Sequence, residues 1–377
     1  MTEENIHFYT LNVRQGDSHV IHFPAHEAAI VIDPYNAGVI NNLLHERLKI
    51  TAIPFILVTH SDRDHVEGIN DVLIAGLKRK KPIKPDYIFI NHDGISKLAP
   101  NVPEPKRRKF YKIFKKLNYL VQTHELNVKC MLAEDETARL FEDILNRYGL
   151  GGTILYPDPD QLNDIHRTQN WNLASILMKL CFGKASILYA ADLPDDGWEQ
   201  VPEKETLKAD VFKVPHHGAE IAETGSGEKT TAQMDHIAPR IALVSVGSDN
   251  MYGHPLPEVI EAIAAHPSQP HVFCTQMTDR CSIYRESRFE KVAAFYNKHL
   301  NENDWANVST PNCQNFNVIW FDGTACAGTI RIIINKHAQY FHSTPSILQH
   351  TLMLKTFFNS DPLLCGVQHL NTRIDRS

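Results

Sequence analysis

Cysteine is scarce in this sequence, and the few that occur are not arranged for thiol chemistry. Seven cysteines are scattered among 377 residues, and none forms a C-x-x-C pair. An odd, dispersed set argues against both a disulfide framework and a thiolate zinc ribbon. We therefore expect reduced thiols that mostly fill space in the core, as in a cytosolic protein.

Long hydrophobic runs are missing as well. No stretch reaches the roughly 18 consecutive apolar residues of a transmembrane helix, and the opening MTEENIHFYT has neither the basic nor the apolar region of a signal peptide. Because 43% of the residues are hydrophobic, the chain can still bury a large core, which excludes wholesale disorder. We predict a globular, cytoplasmic protein without membrane contact.

Charge is distributed unevenly along the chain. The net charge is -6, from 38 basic and 44 acidic side chains. The segment from Lys78 to Lys116 holds 13 basic residues and three acidic ones, a local charge of +10, so the rest of the chain carries 25 bases and 41 acids, or -16. The overall charge is therefore a poor guide to partners.

Strands and helices alternate through most of the sequence. Short apolar runs such as AAIVID and IPFILVTH, bounded by glycine, aspartate and proline, predict strands. Helices are predicted around residues 39–48 and 134–148, and a hairpin is predicted with Gly183 and Lys184 in its turn. This pattern indicates an α/β protein.

The domain organisation is read from a change of composition near Lys298. There the sequence becomes polar, which indicates a linker. We predict a main domain over residues 1–300, with a basic insertion at about 78–121, and a short C-terminal α+β extension over 305–377. The role of the extension stays open: its strands could complete a sheet edge, cover a site or bind a protein partner.

A basic amphipathic helix is predicted over residues 103–121. Apolar residues recur at spacings of three and four, and lysines and arginines surround them. Such a face suits a polyanion, because basic side chains release counterions from phosphates and aromatic rings stack on unpaired bases. The competing interpretation is a solvated face over a buried apolar one. The candidate nucleic-acid contacts are Arg107, Arg108, Lys109 and Lys112.

Four potential metal ligands directly follow one apolar strand. They are His60, Asp62, Asp64 and His65, in the sequence THSDRDH after PFILV. A loop at a strand end that concentrates imidazoles and carboxylates brings them together, and unpaired they would be poorly satisfied. We therefore predict a metal site at this strand end.

Further ligand-type residues follow strands in the second half. Asp192 comes after ILYAA, the pair His216 and His217 after VFKVP, and His254 after LVSVG. Each alone is weak evidence, since a lone polar residue after a strand is often a helix cap. Together they repeat one arrangement, a strand followed by a ligand.

These motifs resemble those of the metallo-β-lactamase-fold hydrolases, and among them the soluble hydrolase domain of the ComEC competence proteins. The resemblance rests on six segments in the order of the family: LNVRQGDSHVIHFP, VIDP, THSDRDHVEGI, NLASILMKL leading to ILYAADL, VFKVPHHGA, and SVGSDNMYGHPLPEVI. It implies an αββα four-layer sandwich that holds two divalent metal ions at the edges of its sheets.

The resemblance also implies roles for individual residues. His60 and Asp62 would bind the first metal, Asp64 and His65 the second, and Asp192 would bridge them. One histidine of the pair His216 and His217, together with His254, would complete the site, and the choice within the pair stays open. As catalytic residues we expect Asp64, Asp192 and His217, with a proton carried by Asp64 or by the histidine of the pair that does not bind metal.

Two departures from the wider superfamily bear on the metal. Asp62 stands where the common signature has histidine, so manganese or magnesium is as plausible as zinc. The expected histidine between the first motif and Asp192 is also not evident. His166 lacks a strand-end context, and residues 170–175 resemble the replacement found in the ComEC branch.

The sequence thus predicts a hydrolase that acts on DNA or RNA through a metal-activated water. Two alternatives stay open: a metallo-hydrolase for a small molecule such as a cyclic nucleotide, a lactone or a thioester, and a partner-binding subunit of a DNA-processing or defence system whose metal site has decayed.

Overall fold

The computed structural model describes most of the chain. The described residues are 5–92, 108–133, 135–161, 170–201, 204–219, 228–248, 250–278, 326–336 and 341–358, with 292, 295, 296, 298 and 365 as single positions. His166 and the predicted linker at 301–315 lie outside them, as does the predicted strand FNVIWF at 316–321. Among the described residues, no helix is long and apolar enough to cross a membrane.

The first sheet has eight strands in the order β14-β13-β1-β2-β3-β4-β5-β6. The strands β1, β2 and β3 form an antiparallel meander, whereas β3 to β6 run parallel. Their bounds are β1 Asn5–Thr10, β2 His19–Phe23, β3 Ala28–Ile32, β4 Ile53–Val58, β5 Pro85–Ile90, β6 Val128–Cys130, β13 Ile330–Asn335 and β14 Phe341–Thr344.

The second sheet has six strands in the order β12-β11-β10-β9-β8-β7. The pairs β7/β8 and β8/β9 are antiparallel, the latter as the predicted hairpin, and β9 to β12 are parallel. Their bounds are β7 Gly151–Tyr156, β8 Leu177–Phe182, β9 Ala185–Tyr189, β10 Val211–Lys213, β11 Ile241–Val244 and β12 His271–Cys274.

Helices cover the outer faces of the two sheets, except that the helix at Glu136–Asn146 packs Phe141 and Leu145 into the core between them. Their bounds are α1 Ala37–Asn41, continued by a π-helical turn at Asn42–Arg47, α2 Arg63–Val66, α3 Ile69–Leu77, α4 Arg108–His124, α5 Glu136–Asn146, α6 Asp195–Glu199, α7 Glu228–Ile237, α8 Pro257–Ala265 and α9 Ile347–Phe358. Leu73 of α3 and Leu117 of α4 pack on the outer face of the first sheet, and Ile263 of α8 on that of the second.

Alternation along the strands separates two apolar cores. Phe8 and Leu57 of the first sheet meet Leu180 and Leu243 of the second in the layer between the sheets. Their neighbours along the strands point outward under the helices. Because side chains alternate across a strand, each strand must be apolar on both faces. The predicted four-layer αββα sandwich is confirmed.

The C-terminal segment contributes strands to the first sheet. β13 pairs antiparallel with β1, from Asn5 opposite Asn335 to Thr10 opposite Ile330, and β14 pairs with β13. Of the roles left open for the predicted extension at 305–377, completion of a sheet edge is therefore the one observed for these strands. The predicted basic insertion at 78–121 likewise supplies a strand, β5, which lies next to the edge strand β6, besides the basic helix α4.

Candidate metal centre

The predicted ligands all follow the carboxyl ends of parallel strands. His60 comes after β4, Asp192 after β9, the histidine pair after β10 and His254 after β11. Parallel strands end at the same edge of their sheet, and in open α/β sheets that edge is where ligands bind. The two sheets face each other, so both sets of loops converge there.

Asp33 anchors the loop of residues 59–65. Thr59 donates to Asp33 Oδ1 from its backbone N–H at 2.7 Å and to Oδ2 from its hydroxyl. Tyr189, from the facing sheet, donates its hydroxyl to Asp33 Oδ2 at 2.7 Å. This buried carboxylate therefore ties the end of β3 to the end of β4 and to the second sheet.

His65 is held between two carboxylates. Its Nδ1 lies 3.1 Å from Asp33 Oδ2, and its Nε2 lies 3.1 Å from Asp192 Oδ2. Burial lowers the pKa of His65, but Asp192 and Asp33 outweigh it and raise that pKa well above the usual value. With Nδ1–H donated to Asp33, Nε2 is the atom available to a cation, the arrangement in which an outer carboxylate orients a metal-binding histidine.

His60 and Asp62 form a second group beside His65. Nε2 of His60 lies 3.5 Å from Asp62 Oδ2, and the rings of His60 and His65 are 5.2 Å apart, edge to face. Ser175 Oγ lies 3.3 Å from His60 Nδ1. A side chain of the 170–175 segment therefore contacts His60.

The histidine pair adopts an unusual backbone. His216 and His217 both have positive φ, +48° and +57°, a conformation that costs of order 1–3 kcal/mol per non-glycine residue and tends to occur at functional sites. It turns the two rings in different directions. Gly218 follows with φ +79°, and its backbone carbonyl accepts from Leu256 N at 2.8 Å, which joins this loop to the one that carries His254.

The ring of His217 points inward, towards the ligands of the loop of residues 59–65. Its Nδ1 lies 2.7 Å from the carbonyl oxygen of Ser245, and its Nε2 lies 3.3 Å from Asp64 Oδ2. A carbonyl and a carboxylate both only accept, so both ring nitrogens carry a proton here, and a cation at Nε2 would take the place of the proton that faces Asp64. Burial lowers the pKa of His217, but Asp17 and Asp64 outweigh it and raise that pKa.

His216 lies nearer to the mouth. Its side chain is 37% exposed, its Nε2 is 3.9 Å from Asp192 Oδ2, and its ring centroid is 5.5 Å from that of His254. Burial lowers the pKa of His216, and burial together with His216 and His217 lowers the pKa of His254 to about 4. Both imidazoles are therefore neutral at pH 7, the form that binds metals.

Asp17 and Lys213 form a buried ion pair beneath the site. The backbone N–H of Asp17 donates to Asp64 O at 2.9 Å, so the pair supports the loop from below. A Cβ on Gly16 would lie 2.3 Å from the ring of Tyr35 and 2.8 Å from Asp64 O, which explains the glycine here. Sequence reasoning missed Lys213, although a lysine within the apolar run VFKVP was a signal of a buried partner.

Three buried ligand atoms fit a cation. The atoms His60 Nε2, Asp192 Oδ1 and His254 Nδ1 are buried without a hydrogen-bond partner, which is costly unless something satisfies them. Burial raises the pKa of Asp192, but the nearby His65 and His216 outweigh it and hold that pKa well below its usual range. These atoms would be satisfied by metal ions held between the loops.

The charge of the site also fits metal ions. Asp17 is neutralised by Lys213, and four further carboxylates remain. They are Asp33, Asp62, Asp64 and Asp192, and divalent cations would neutralise their negative charge.

Two sets of three ligand atoms lie close enough for one ion. One atom from each of Asp64, His65 and His217 lies within 4.8 Å of the others, and the same holds for Asp17, Asp33 and His65. Asp17 is already engaged by Lys213 and Asp33 by Thr59 and Tyr189, so we favour the first set. Its mixture of imidazole and carboxylate suits zinc or manganese, with magnesium as the harder alternative.

The basic helix α4 points its first turns towards this edge. Asn70, five residues after His65, donates to Ile113 O in the first half of α4 at 3.0 Å, whereas Lys84, just before β5, donates to His124 O at its end at 3.3 Å. The helix therefore runs from the carboxyl edge of the first sheet to the opposite edge. Lys112 is exposed. Arg107 and the side chains of Arg108 and Lys109 lie outside the described residues.

Comparison with known proteins gives one distant relative and several similar structures. No protein-family model matches the chain. Over 278 residues it is 25% identical to ComE operon protein 3 of Bacillus subtilis, which covers 68% of this chain but only 30% of that protein. The chain thus spans less than a third of the relative.

Among solved structures, the metallo-β-lactamase fold protein YhfI of Bacillus subtilis shares 9% identity at a TM-score of 0.41, over 72% of this chain and 96% of YhfI. The short form of human tRNase Z shares 12% at 0.33, over 63% and 91%. The chain has the four-layer αββα sandwich that its sequence predicts, and it is similar to metallo-β-lactamase fold proteins and, distantly, to ComE operon protein 3.

Proposed function

We propose that this protein is a metal-dependent hydrolase that cleaves phosphodiester bonds of DNA or RNA. The observation that carries the proposal is the convergence of buried, unpaired ligand atoms of His60, Asp192 and His254 at one edge of the two sheets. Bound divalent ions would supply Lewis acidity and activate water for attack on phosphorus.

The residues of the chain would divide the remaining work. His60 and Asp62 would hold one ion, and Asp64, His65 and His217 the other, with Asp192 between them.

Other groups would orient these ligands. Asp33 would orient His65, and the carbonyl oxygen of Ser245 would orient His217 by accepting a hydrogen bond from Nδ1. Because His217 turns its Nε2 to Asp64, we assign the proton-carrying role to His216, whose partly exposed, neutral ring would accept a proton from water at the mouth of the site.

The position of α4 supports a polyanionic substrate. Lys112 and Lys115 are exposed on the helix, and Lys112 stands in the half that lies near the carboxyl edge of the first sheet. A strand whose scissile phosphate sits between the two groups of ligands could extend its neighbouring phosphates along this face. Arg107, Arg108 and Lys109 stay contacts predicted from the sequence alone.

The test is cleavage of labelled single-stranded and duplex DNA and RNA by the protein loaded with manganese, magnesium or zinc. We expect cleavage that chelation abolishes and that Asp192→Ala removes. Absence of cleavage with all three metals would reject the nuclease assignment. Turnover of a cyclic nucleotide, lactone or thioester in that case would favour the small-molecule alternative. A protein that binds no metal would favour the partner-binding alternative.

The cellular setting remains part of the proposal. A cytoplasmic location agrees with the expected reduced thiols. A protein partner bound through the C-terminal segment would use the surface beyond β13 and β14.

A further inference from the structure

Two large apolar side chains stand exposed beside the candidate metal centre. Met251 is 89% exposed and Tyr252 is 66% exposed, and both belong to the loop between β11 and α8 that carries His254. Single exposed apolar residues are ordinary on protein surfaces. These two are adjacent in sequence and lie two or three residues before His254, a candidate metal ligand.

The side chain of Asn250 fixes the loop. Its Nδ2 donates to Gly247 O and to His254 O, and its Oδ1 accepts from His254 N, each at 2.7 Å. Three hydrogen bonds from one amide close the loop around residues 251–253. Met251 and Tyr252 are therefore presented by an ordered turn, and a ligand that binds them has little ordering entropy to overcome.

Tyr252 continues a row of rings that begins at the metal ligands. Its ring is stacked on His254 at 5.7 Å and 25°, and His254 lies edge to face with His216 at 5.5 Å. His216 in turn lies 3.9 Å from Asp192. The tyrosine is thus the outermost ring of the row, with most of its surface open to solvent.

We infer that Tyr252 is a stacking platform for the base of the nucleotide next to the scissile phosphate. The inference rests on the proposed function, since it assumes that a nucleic acid enters this site. The ligands between the sheets would hold the phosphate, so the attached base must lie outside them, and the flat ring beyond His254 is the surface it meets. Stacking accepts any base but requires one that is unpaired.

Binding of a fluorescent single strand tests the inference without cleavage. The probe is a DNA strand with phosphorothioate linkages and one 2-aminopurine, titrated in the presence of manganese. Wild type and Tyr252→Phe should bind alike and quench the fluorescence. Tyr252→Ala should bind about 10-fold more weakly, since a stacked base contributes of that order, and should lose the quenching.

The control is Leu348→Ala. Leu348 is exposed to a similar extent, at 62%, but lies on α9, whose His350 contacts His271 at the start of β12, the end of the sheet away from the ligands. That variant should leave binding and quenching unchanged. A strand with an abasic position in place of 2-aminopurine, followed by anisotropy, should bind wild type and Tyr252→Ala equally.

The outcomes separate the platform from the proposed function. Equal binding and quenching by wild type and Tyr252→Ala would overturn the platform, as would a wild-type protein that binds no strand. Cleavage of an unmodified strand is measured separately. Quenching that depends on Tyr252, without cleavage, would support the stacking platform and reject the nuclease assignment. Cleavage with the same kcat/KM in wild type and Tyr252→Ala would support the nuclease assignment and reject the platform.

Discussion

Nδ1 of His65 lies 3.1 Å from Oδ2 of Asp33, although the two residues follow different strands. The contact joins the loop after β4 to the end of β3. Because the same carboxylate accepts from Thr59 and Tyr189, one residue orients the site and links the two sheets.

The first prediction concerns Asp33→Asn. The amide keeps the volume but loses the charge-assisted hydrogen bonds, so we expect metal affinity to fall by about 10- to 100-fold, as for other residues that orient metal ligands. Competition with a chromophoric chelator measures it. Asp71→Asn, an exposed carboxylate on α3, is the control and should not change affinity. Equal affinities of wild type and Asp33→Asn would contradict the orienting role.

The second prediction concerns Gly218→Ala. Gly218 has φ +79°, and a Cβ there would lie 2.6 Å from Cβ of Pro255. We expect a loss of about 1–3 kcal/mol in the free energy of unfolding by urea. Gly149→Ala is the matched control, because its φ is +71° but the nearest atom to a Cβ is 3.8 Å away. A smaller loss at Gly218 than at Gly149 would show that the contact with Pro255 does not constrain the loop.

The third prediction concerns acid sensitivity. Burial, and then the charge of Arg331, lower the pKa of His7 to about 3 and of His22 to about 4. Unfolded, both histidines take up a proton near pH 6.5, while folded they remain neutral. The unfolded state then binds more protons, so stability must fall as pH drops from about 6.5 towards 4, by up to roughly 1.4 kcal/mol per pH unit for each group.

Urea unfolding at pH 7 and pH 5 measures this slope. His22→Gln cannot take up a proton, so its stability should change less between the two pH values than that of wild type. A stability that is constant or rises on acidification would contradict the assignment of neutral buried histidines.

The fourth prediction concerns the basic helix. Lys112→Gln and Lys115→Gln should each weaken binding of single-stranded DNA and lower the slope of log affinity against log salt by about 0.7, the value for one lost phosphate contact. Lys184→Gln is the control, since this exposed lysine lies in the β8–β9 turn, at the opposite end of the second sheet from the ligands. If the salt slopes of all three variants equal that of wild type, the single-stranded DNA does not bind along α4.

The features that could be predicted from sequence are those that local pattern determines. Apolar runs followed by Asp or His predicted the strands and the ligands at their carboxyl ends, because each strand and its ligand lie within a few residues of each other in the sequence. The role of Tyr189 could not be predicted, since its partner Asp33 is 156 residues away. Likewise the orientations of His216 and His217 depend on positive φ angles that residue type alone does not imply.

The position of the C-terminal strands in the first sheet also could not be predicted from local sequence. β13 reads as a strand from its apolar run, but its place beside β1 depends on a register between residues more than 300 positions apart. The same distance separates other paired groups at this edge, such as Asn5 and Asn335. The local sequence pattern predicts that a segment is a strand, but tertiary packing determines which strand it pairs with.

The central claim is that the loops after β4, β9, β10 and β11 form a metal centre. Its most direct test is the metal content of the purified protein, measured by elemental analysis after dialysis. The account predicts about two divalent ions per chain, as in two-metal hydrolases, and a clear loss in Asp64→Ala and Asp192→Ala. Well under one ion per chain, unchanged by Asp64→Ala, would contradict it.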